Sequence, residues 1–535
     1  MIAWLRLDLR RRRRSAAVLT LLVAVASGTI LTALAGARRG ESAVDRLKAR
    51  TVPAHAAILA NTPNFEWSRV RVLPEIEGFS FFGPGYPVDG RPGVTAEPML
   101  GDDVMSAVER PVVLSGRMLD RDRVDEAVTG AGFLDRQHLR LGDTLSVVLP
   151  TPAELHAMEG SGPGDAFTGP RITVRLVGVI SSPWWGDPTT VSLSPAVAER
   201  YPDSVARSAD TPPGSVFLGN ALVRLRGGTA AIPQLRTDFA RVTGRADIET
   251  VDLADWLYRP LVRQTTFEAR SLLAFGGAAF LAALFLVGQA AARSAASATA
   301  DLQPLRAVGM SGPQSVAAAS AAPAVAGLAG GVLGIAGAIG ASYWFPIGAA
   351  RLAEPSPGIA PDWVVLGPGL IATVLLVAAG AAGAARLALG ASRRHAAERR
   401  SAVARTTARA GLPVPVVIGT RFALEPGRGR TSVPVRPALA GAVVGVLGLL
   451  AALTFARGVD DVAGHPEKFG QTFQLSAWIG GSGQSSGPVD ALLSALEAHP
   501  DVEGVEDARS AVATGPDGNS SVTLFSYSAG PKPLD

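Results

Sequence analysis

Two stretches of this 535-residue chain carry the spacing of catalytic motifs. Gly483-Gln-Ser-Ser-Gly487 matches Gly-x-Ser-x-Gly, the pattern that lifts a nucleophilic serine onto a strained turn between strand and helix. Here it sits among serines and glycines with no apolar strand leading into a helix, so it reads as a loop. Gly427-Arg-Gly-Arg-Thr-Ser432 is only superficially like a phosphate-binding loop. It lacks the lysine that reaches the β- and γ-phosphates, and Gly-x-x-x-x-Gly-Lys-Ser/Thr occurs nowhere in the chain. The six histidines, at 55, 138, 156, 395, 465 and 499, are scattered without metal-ligand spacing and read as surface residues. There is no cysteine, hence no disulfide, thiolate site or cysteine nucleophile. The expectation is a chain with no catalytic residue, cofactor or metal of its own.

A different stretch organises the chain. Asp301-Leu-Gln-Pro-Leu-Arg-Ala-Val-Gly-Met310 lies in a short connection, residues 293–314, between two uncharged spans. Leu302, Leu305 and Val308 fall on one side of a helical turn, with Arg306 pointing elsewhere. Pro304 is tolerable in a first helical turn, and Gly309 suits a C-terminal cap. This predicts a short capped helix along the membrane surface. Its candidate contact set for a partner is Asp301, Leu302, Leu305, Arg306, Val308, Gly309 and Met310. A plain connecting loop is the other reading of the same pattern.

The elements that hold this elbow follow from hydropathy. Only 18% of residues are charged and 47% are hydrophobic, whereas a soluble chain carries about a quarter charged residues. Apolar spans are expected at 15–37, 271–292, 315–345, 363–385 and 437–456, each near the ~20 residues a bilayer-crossing helix needs. Residues 1–14 read as an interfacial helix, with Ile2, Leu5 and Leu9 on one face and an arginine anchor after it. A cleaved leader ending near Ala33-Leu-Ala35 is the rival, but its apolar core exceeds the ~7–15 residues of a signal. Residues 38–270 form a hydrophilic block with alternating strand signals such as Arg171-Ile-Thr-Val-Arg-Leu-Val-Gly-Val-Ile180. Its last part, a strand near 220–226, a helix with Ile232, Leu235, Phe239 and Val242, and a strand at 247–251, suggests an α+β domain with ferredoxin-like pieces. Residues 346–362 are a short outer turn, 386–436 a basic linker and 457–535 a polar tail.

Arginines concentrate in residues 1–14 and 386–436, which places both at the inner membrane face and the 38–270 block outside. Trp256, Trp344 and Trp363 then fall on the outer side, as interfacial aromatics do. The high pI, about 9.7, fits this membrane-facing arginine pattern rather than nucleic acid. No charge lies inside a span, where each would cost roughly 2.5–3.5 kcal/mol on insertion scales. This argues against an ion-relay secondary transporter. Gly327, Gly330, Gly331 and Gly334, and Gly441 with Gly445, have the small-xxx-small spacing of close helix contacts in lipid.

The chain also repeats itself. Leu5-Arg-Leu-Asp-Leu9 corresponds to Thr420-Arg-Phe-Ala-Leu424, and each precedes arginines and then an apolar span that exits through arginine. Downstream, Leu73-Pro-Glu-Ile-Glu-Gly-Phe79 echoes His499-Pro-Asp-Val-Glu-Gly-Val505. A second outer domain begins at 457 and is unfinished at Asp535, so the expectation is an incomplete version of a longer chain, with a natural five-span protein as the alternative.

This layout resembles the FtsX-like permeases of the MacB/LolC type, in their two-repeat actinobacterial form. The local likeness lies in Ala35-Gly-Ala-Arg-Arg39, Gly116-Arg117 with Glu126, Leu305-Arg-Ala-Val-Gly-Met310, Arg421-Phe-Ala-Leu-Glu-Pro-Gly-Arg428 and Val433-Pro-Val-Arg436. The resemblance implies a multi-pass helical protein of the plasma membrane, N-terminus inside, with a MacB-like extracytoplasmic α+β domain between spans 1 and 2. It implies a permease subunit of an ABC transporter, driven by a separate ATPase dimer that grips the elbow. Its cargo would be an amphiphile, lipoprotein, peptide or drug, and its other contacts membrane lipid and an extracytoplasmic partner on 38–270. The alternative is an FtsX-like signal transmitter that regulates a cell-wall hydrolase.

Overall fold

The computed structural model describes residues 2–60, 65–83, 85–100, 104–155, 167–205, 220–391, 406, 409–410, 413–424, 435–469, 473–476, 480–481, 484–485, 489–514 and 521–529. The chain divides into a helical unit (Met1–Gly40, Phe267–Pro346 and Gly358–Gly464) and an α+β unit (Glu41–Thr266, Ile347–Pro357 and His465–Asp535).

Among the described residues four helices are long and apolar enough to cross a membrane: Arg13–Glu41, Ala254–Asp301, Gly312–Trp344 and Trp363–Gly390. They mark a membrane protein of mixed helix and sheet. Such helices satisfy every backbone N–H and C=O internally, which lipid requires. The second runs nine residues past the expected end at 292, because Arg293–Asp301 is mostly alanine, serine and threonine with no proline or glycine to stop it. The third starts at a capping box: Ser311 and Gln314 bond each other's backbone N–H, with Pro313 in the first turn. Pro323 lies inside that helix. The fifth expected span falls within the helix Val435–Gly464.

Glycine decides how close these helices come. A Cβ on Gly327 would lie 3.1 Å from Val377, and one on Gly331 would lie 2.6 Å from Leu370, both on the fourth helix. Gly330 and Gly334 turn to the first helix instead. A Cβ on Gly330 would meet the Thr20 carbonyl at 2.7 Å, and one on Gly334 would run into Ser27. The third helix thus carries two glycine pairs of i,i+4 spacing on adjacent faces, and sits between the first and fourth helices on them. In the fifth helix Gly441 faces Phe285, while Gly445 has nothing within 4 Å, so the expected pair contributes one close contact there.

The α+β unit holds two main sheets. In the smaller, β1 (Ala56–Leu59), β2 (Ile76–Phe82), β10 (Asn220–Leu225) and β11 (Glu249–Asp252) run in the order β11-β1-β10-β2, all antiparallel. A helix, Ser68–Arg71, links β1 to β2, and another, Ile232–Thr243, links β10 to β11. This is the ferredoxin-like split βαβ arrangement, with the rest of the block inserted between β2 and β10. The insert is a mixed sheet of β3 (Tyr86–Pro87), β4 (Thr95–Pro98), β5 (Val112–Gly116), β6 (Glu126–Gly130), β7 (Thr144–Val148), β8 (Arg171–Ser181) and β9 (Thr190–Leu193), ordered β3-β4-β9-β6-β8-β5 with β7 also on β8. Along β8, Ile172, Val174 and Leu176 are buried and Arg171, Thr173 and Arg175 exposed, which is the strand alternation of the sequence. Phe65, Trp67, Phe79, Phe81 and Phe239 pack edge-on or stacked beneath the smaller sheet.

The two echoed segments share a turn. Leu73 N donates to Val70 O (3.1 Å) and Ile76 N to Leu73 O (3.0 Å); at matching positions His499 N donates to Leu496 O (3.0 Å) and Val502 N to His499 O (3.1 Å). Each turn follows a helix, Ser68–Arg71 or Val489–Glu497, and leads into a strand, β2 or Glu506–Thr514.

Candidate coupling elbow

After the second long helix ends at Asp301, the chain makes one short helix, Gln303–Ala307, with Pro304 in its first turn. Gly309, at φ +113°, then reverses the chain, a backbone state that side chains other than glycine's resist. Val308 N and Met310 N both donate to Leu305 O, at 3.2 and 3.1 Å, and close the turn.

The apolar side expected for Leu302, Leu305 and Val308 is split. Leu302 is fully buried in a core with Ala298, Val316 and Ala319, whereas Leu305 is 43% and Val308 88% exposed. The reason is register. Leu302 N still bonds Ala298 O, so Leu302 keeps the bundle face of the preceding helix, while Val308 lies beyond the last turn of the short one. Met310 packs half-buried on the same core as Leu302, Arg306 is half-buried, and Asp301 is exposed but engaged by Arg12. The elbow is therefore anchored by Leu302 and Met310, and presents Leu305 and Val308.

The N-terminal helix, Ile2–Arg11, also departs from the expected face. Its most buried described residue is Asp8, 6% exposed, with Trp4 packed on the core that holds Leu302. It rests on the helix bundle through Trp4 and Asp8.

The residues behind the family resemblance have defined partners. Arg38 Nε pairs with Asp362 (2.9 Å), and Arg39 donates to the carbonyls of Ser342 and Gly358 (both 2.9 Å), covering the end of the third helix. Gly36 is required where it stands, since a Cβ would come 2.5 Å from the Phe345 ring. In the α+β unit, Arg117 grips buried Glu126 with two nitrogens, at 2.7 and 2.5 Å, and Asp120 N adds a third bond at 3.0 Å. Arg117 holds the Glu126 carboxyl down to about 2. Gly116, at φ +72°, makes the turn that aims Arg117.

The connection between the third and fourth helices belongs to the α+β unit. Ala350 and Ala353 are buried with Ala43, Val44, Leu47 and Tyr258, and Glu354, 3% exposed, pairs with Arg46 at 2.7 Å. Arg50 donates to Pro355 O.

Two titratable groups, one buried and one half-buried, had no signal in the sequence. Glu109 is fully buried at φ +53° and accepts from Ala54 N (2.9 Å), Ser182 Oγ (2.8 Å) and Trp184 N (3.3 Å); burial pushes its carboxyl up. His55 is half-buried rather than a surface residue. Its Nδ1 accepts from Leu225 N at 2.9 Å, and burial lowers its pKa. Their partners lie far along the chain, beyond the reach of local pattern. Among the described residues no group of three His, Asp or Glu could hold a metal. Gly427–Ser432 lies outside the described residues, as do Gly483, Ser486 and Gly487. No family model matches this chain, and no similar sequence was found among curated proteins.

Proposed function

We propose that this chain is the permease subunit of an ABC transporter of the plasma membrane, driven by a separate ATPase dimer that docks on the elbow at residues 301–310. The observation that carries the reading is the exposure of Leu305, on a short helix, and Val308, at its C-terminal cap, in an elbow anchored at both flanks between two long apolar helices. Apolar side chains held out on a rigid support suit a partner's groove. The arginines of residues 1–14 support a cytoplasmic position for that surface, where an ATPase works. The α+β unit then lies outside, and the chain has no phosphate-binding loop with which to hydrolyse ATP itself. Closure of the ATPase dimer displaces the elbow and, through the third helix, the connection Ile347–Pro357. Within the α+β unit the Arg46–Glu354 pair fixes that connection to the helix Ala43–Arg50. The cargo class is an amphiphile, lipoprotein, peptide or drug.

The test is capture. Expressed in its native host, the tagged chain co-purifies with a Walker-type ATPase, and Leu305→Asp or Val308→Asp abolishes the association. Normal ATPase binding by both variants would show that the elbow is not the docking surface.

A further inference from the structure

Resting on the coupling reading, we propose that Arg12 is the positioning residue of the elbow. It ties the N-terminal interfacial helix to the last turn of the second long helix, so that elbow and first helix move as one piece. The charges of the N-terminal segment are almost all basic: Arg6, Arg10, Arg11, Arg12, Arg13 and Arg14 surround one acid, Asp8. A helix that served only to rest on anionic lipid would have no use for that acid, yet Asp8 is the residue turned inward. Arg12, one turn on, contacts it through Nε at 3.0 Å. The two remaining guanidinium nitrogens reach Ser297 and Asp301, themselves one turn apart at the end of the second helix. All three nitrogens are engaged, on residues from two elements nearly three hundred positions apart. A lysine, with one ammonium, cannot reproduce that fork.

The sequence of the second helix supplies an independent reason. Its last turn contains no basic residue and ends in Asp301. An acid there opposes the helix dipole, whose C-terminal end carries roughly half a negative charge. Arg12 brings in the missing cation from another helix. An exposed Arg–Asp pair alone contributes little. Here the guanidinium is also held by buried Asp8, and Trp4 and Met310 pack on one shared core. Asp8, Leu9, Arg12 and Leu19 also border a small cleft with Ser294 and Pro323, so first, second and third helices converge at this point.

The chain has no cysteine, so a spin label can be placed at a single engineered one. In the full chain in lipid nanodiscs, without ATPase, a label at Val308→Cys reports elbow mobility, and one at exposed Ile359→Cys, at the other end of the bundle, serves as control. Arg12→Ala and Asp301→Asn narrow the Val308 spectrum and leave the Ile359 spectrum unchanged, and Arg12→Lys falls between wild type and Arg12→Ala. An unchanged Val308 spectrum overturns the proposal, as does equal loosening at both labels, which would make Arg12 a residue of general stability. The two readings separate cleanly. If Arg12→Ala frees the label but Val308→Asp still binds the ATPase, positioning stands and the docking assignment falls.

Discussion

Two connections join the long helices on either side of the third, and they are resolved in opposite ways. The one after the third helix is absorbed: Ala350 and Ala353 are buried and Glu354 is enclosed with Arg46 inside the α+β unit. The one before it is withheld: Leu302 is buried, but Leu305 and Val308 face solvent. Both are short and both contain apolar residues. The difference is whether the chain itself provides the surface that covers them. A connection covered by its own chain behaves as a rigid joint, whereas an uncovered one on a fixed support is available to another protein.

This contrast makes predictions of graded size. Glu354→Ala strips the buried carboxylate from half-exposed Arg46 and should destabilise the purified chain by about 2–3 kcal/mol in denaturant unfolding. A loss no greater than that of an elbow variant would erase the distinction between the connections. Gly334→Leu, at the contact with Ser27, should cost about 2 kcal/mol by overpacking, whereas Gly337→Val, with nothing within 4 Å, should be nearly neutral; thermal aggregation in detergent reads both. Should the two glycines behave alike, the third helix does not rest on the first as described.

The α+β unit should carry opposed pH signatures. Glu126 is depressed to about 2, so its pairing with Arg117 stabilises the fold above pH 4.5 and is lost as pH falls from there toward 2. Arg117→Ala should flatten that acid limb of the melting-temperature profile. Glu97 is pushed up to about 7 by burial and by Asp187. Its contribution is present below pH 4.5 and lost as pH rises through 7. Glu97→Gln should therefore melt higher than wild type at pH 8 and much like it at pH 4; equal melting at pH 8 would contradict the assignment. The smallest effect is Val308→Asp, which should change unfolding stability by no more than about 0.5 kcal/mol because the side chain is exposed. That quiet background is what makes its effect on ATPase capture interpretable.

How much of this was legible beforehand depended on range along the chain. The β8 alternation and the amphipathic helix at 232–243 were visible because burial there follows a period of two or of 3.6. The glycines on the third helix could be nominated by spacing, but which pair meets the first helix and which the fourth could not. Leu302, Leu305 and Val308 looked like one face because a helical wheel assumes one continuous helix. The chain ends one helix at Asp301 and begins another at Gln303, and that break divides them. Arg117 and Glu126 were singled out by resemblance alone; that two guanidinium nitrogens join them is a fact of the fold. Glu109, His55 and Arg12 were opaque, since nothing near them in sequence names their partners.

By itself the sequence determined the apolar helices and the strand-rich block, because hydropathy and period are properties of consecutive residues. The same local logic marked the site as a short capped turn between two spans. Only the tertiary structure decided which of the elbow's leucines is an anchor and which is offered. It alone turned Asp8 inward, closed the fork of Arg12 on Ser297 and Asp301, and buried Glu354 against Arg46. A polar or apolar side chain takes its role from what the fold places beside it, and here those neighbours come from hundreds of residues away.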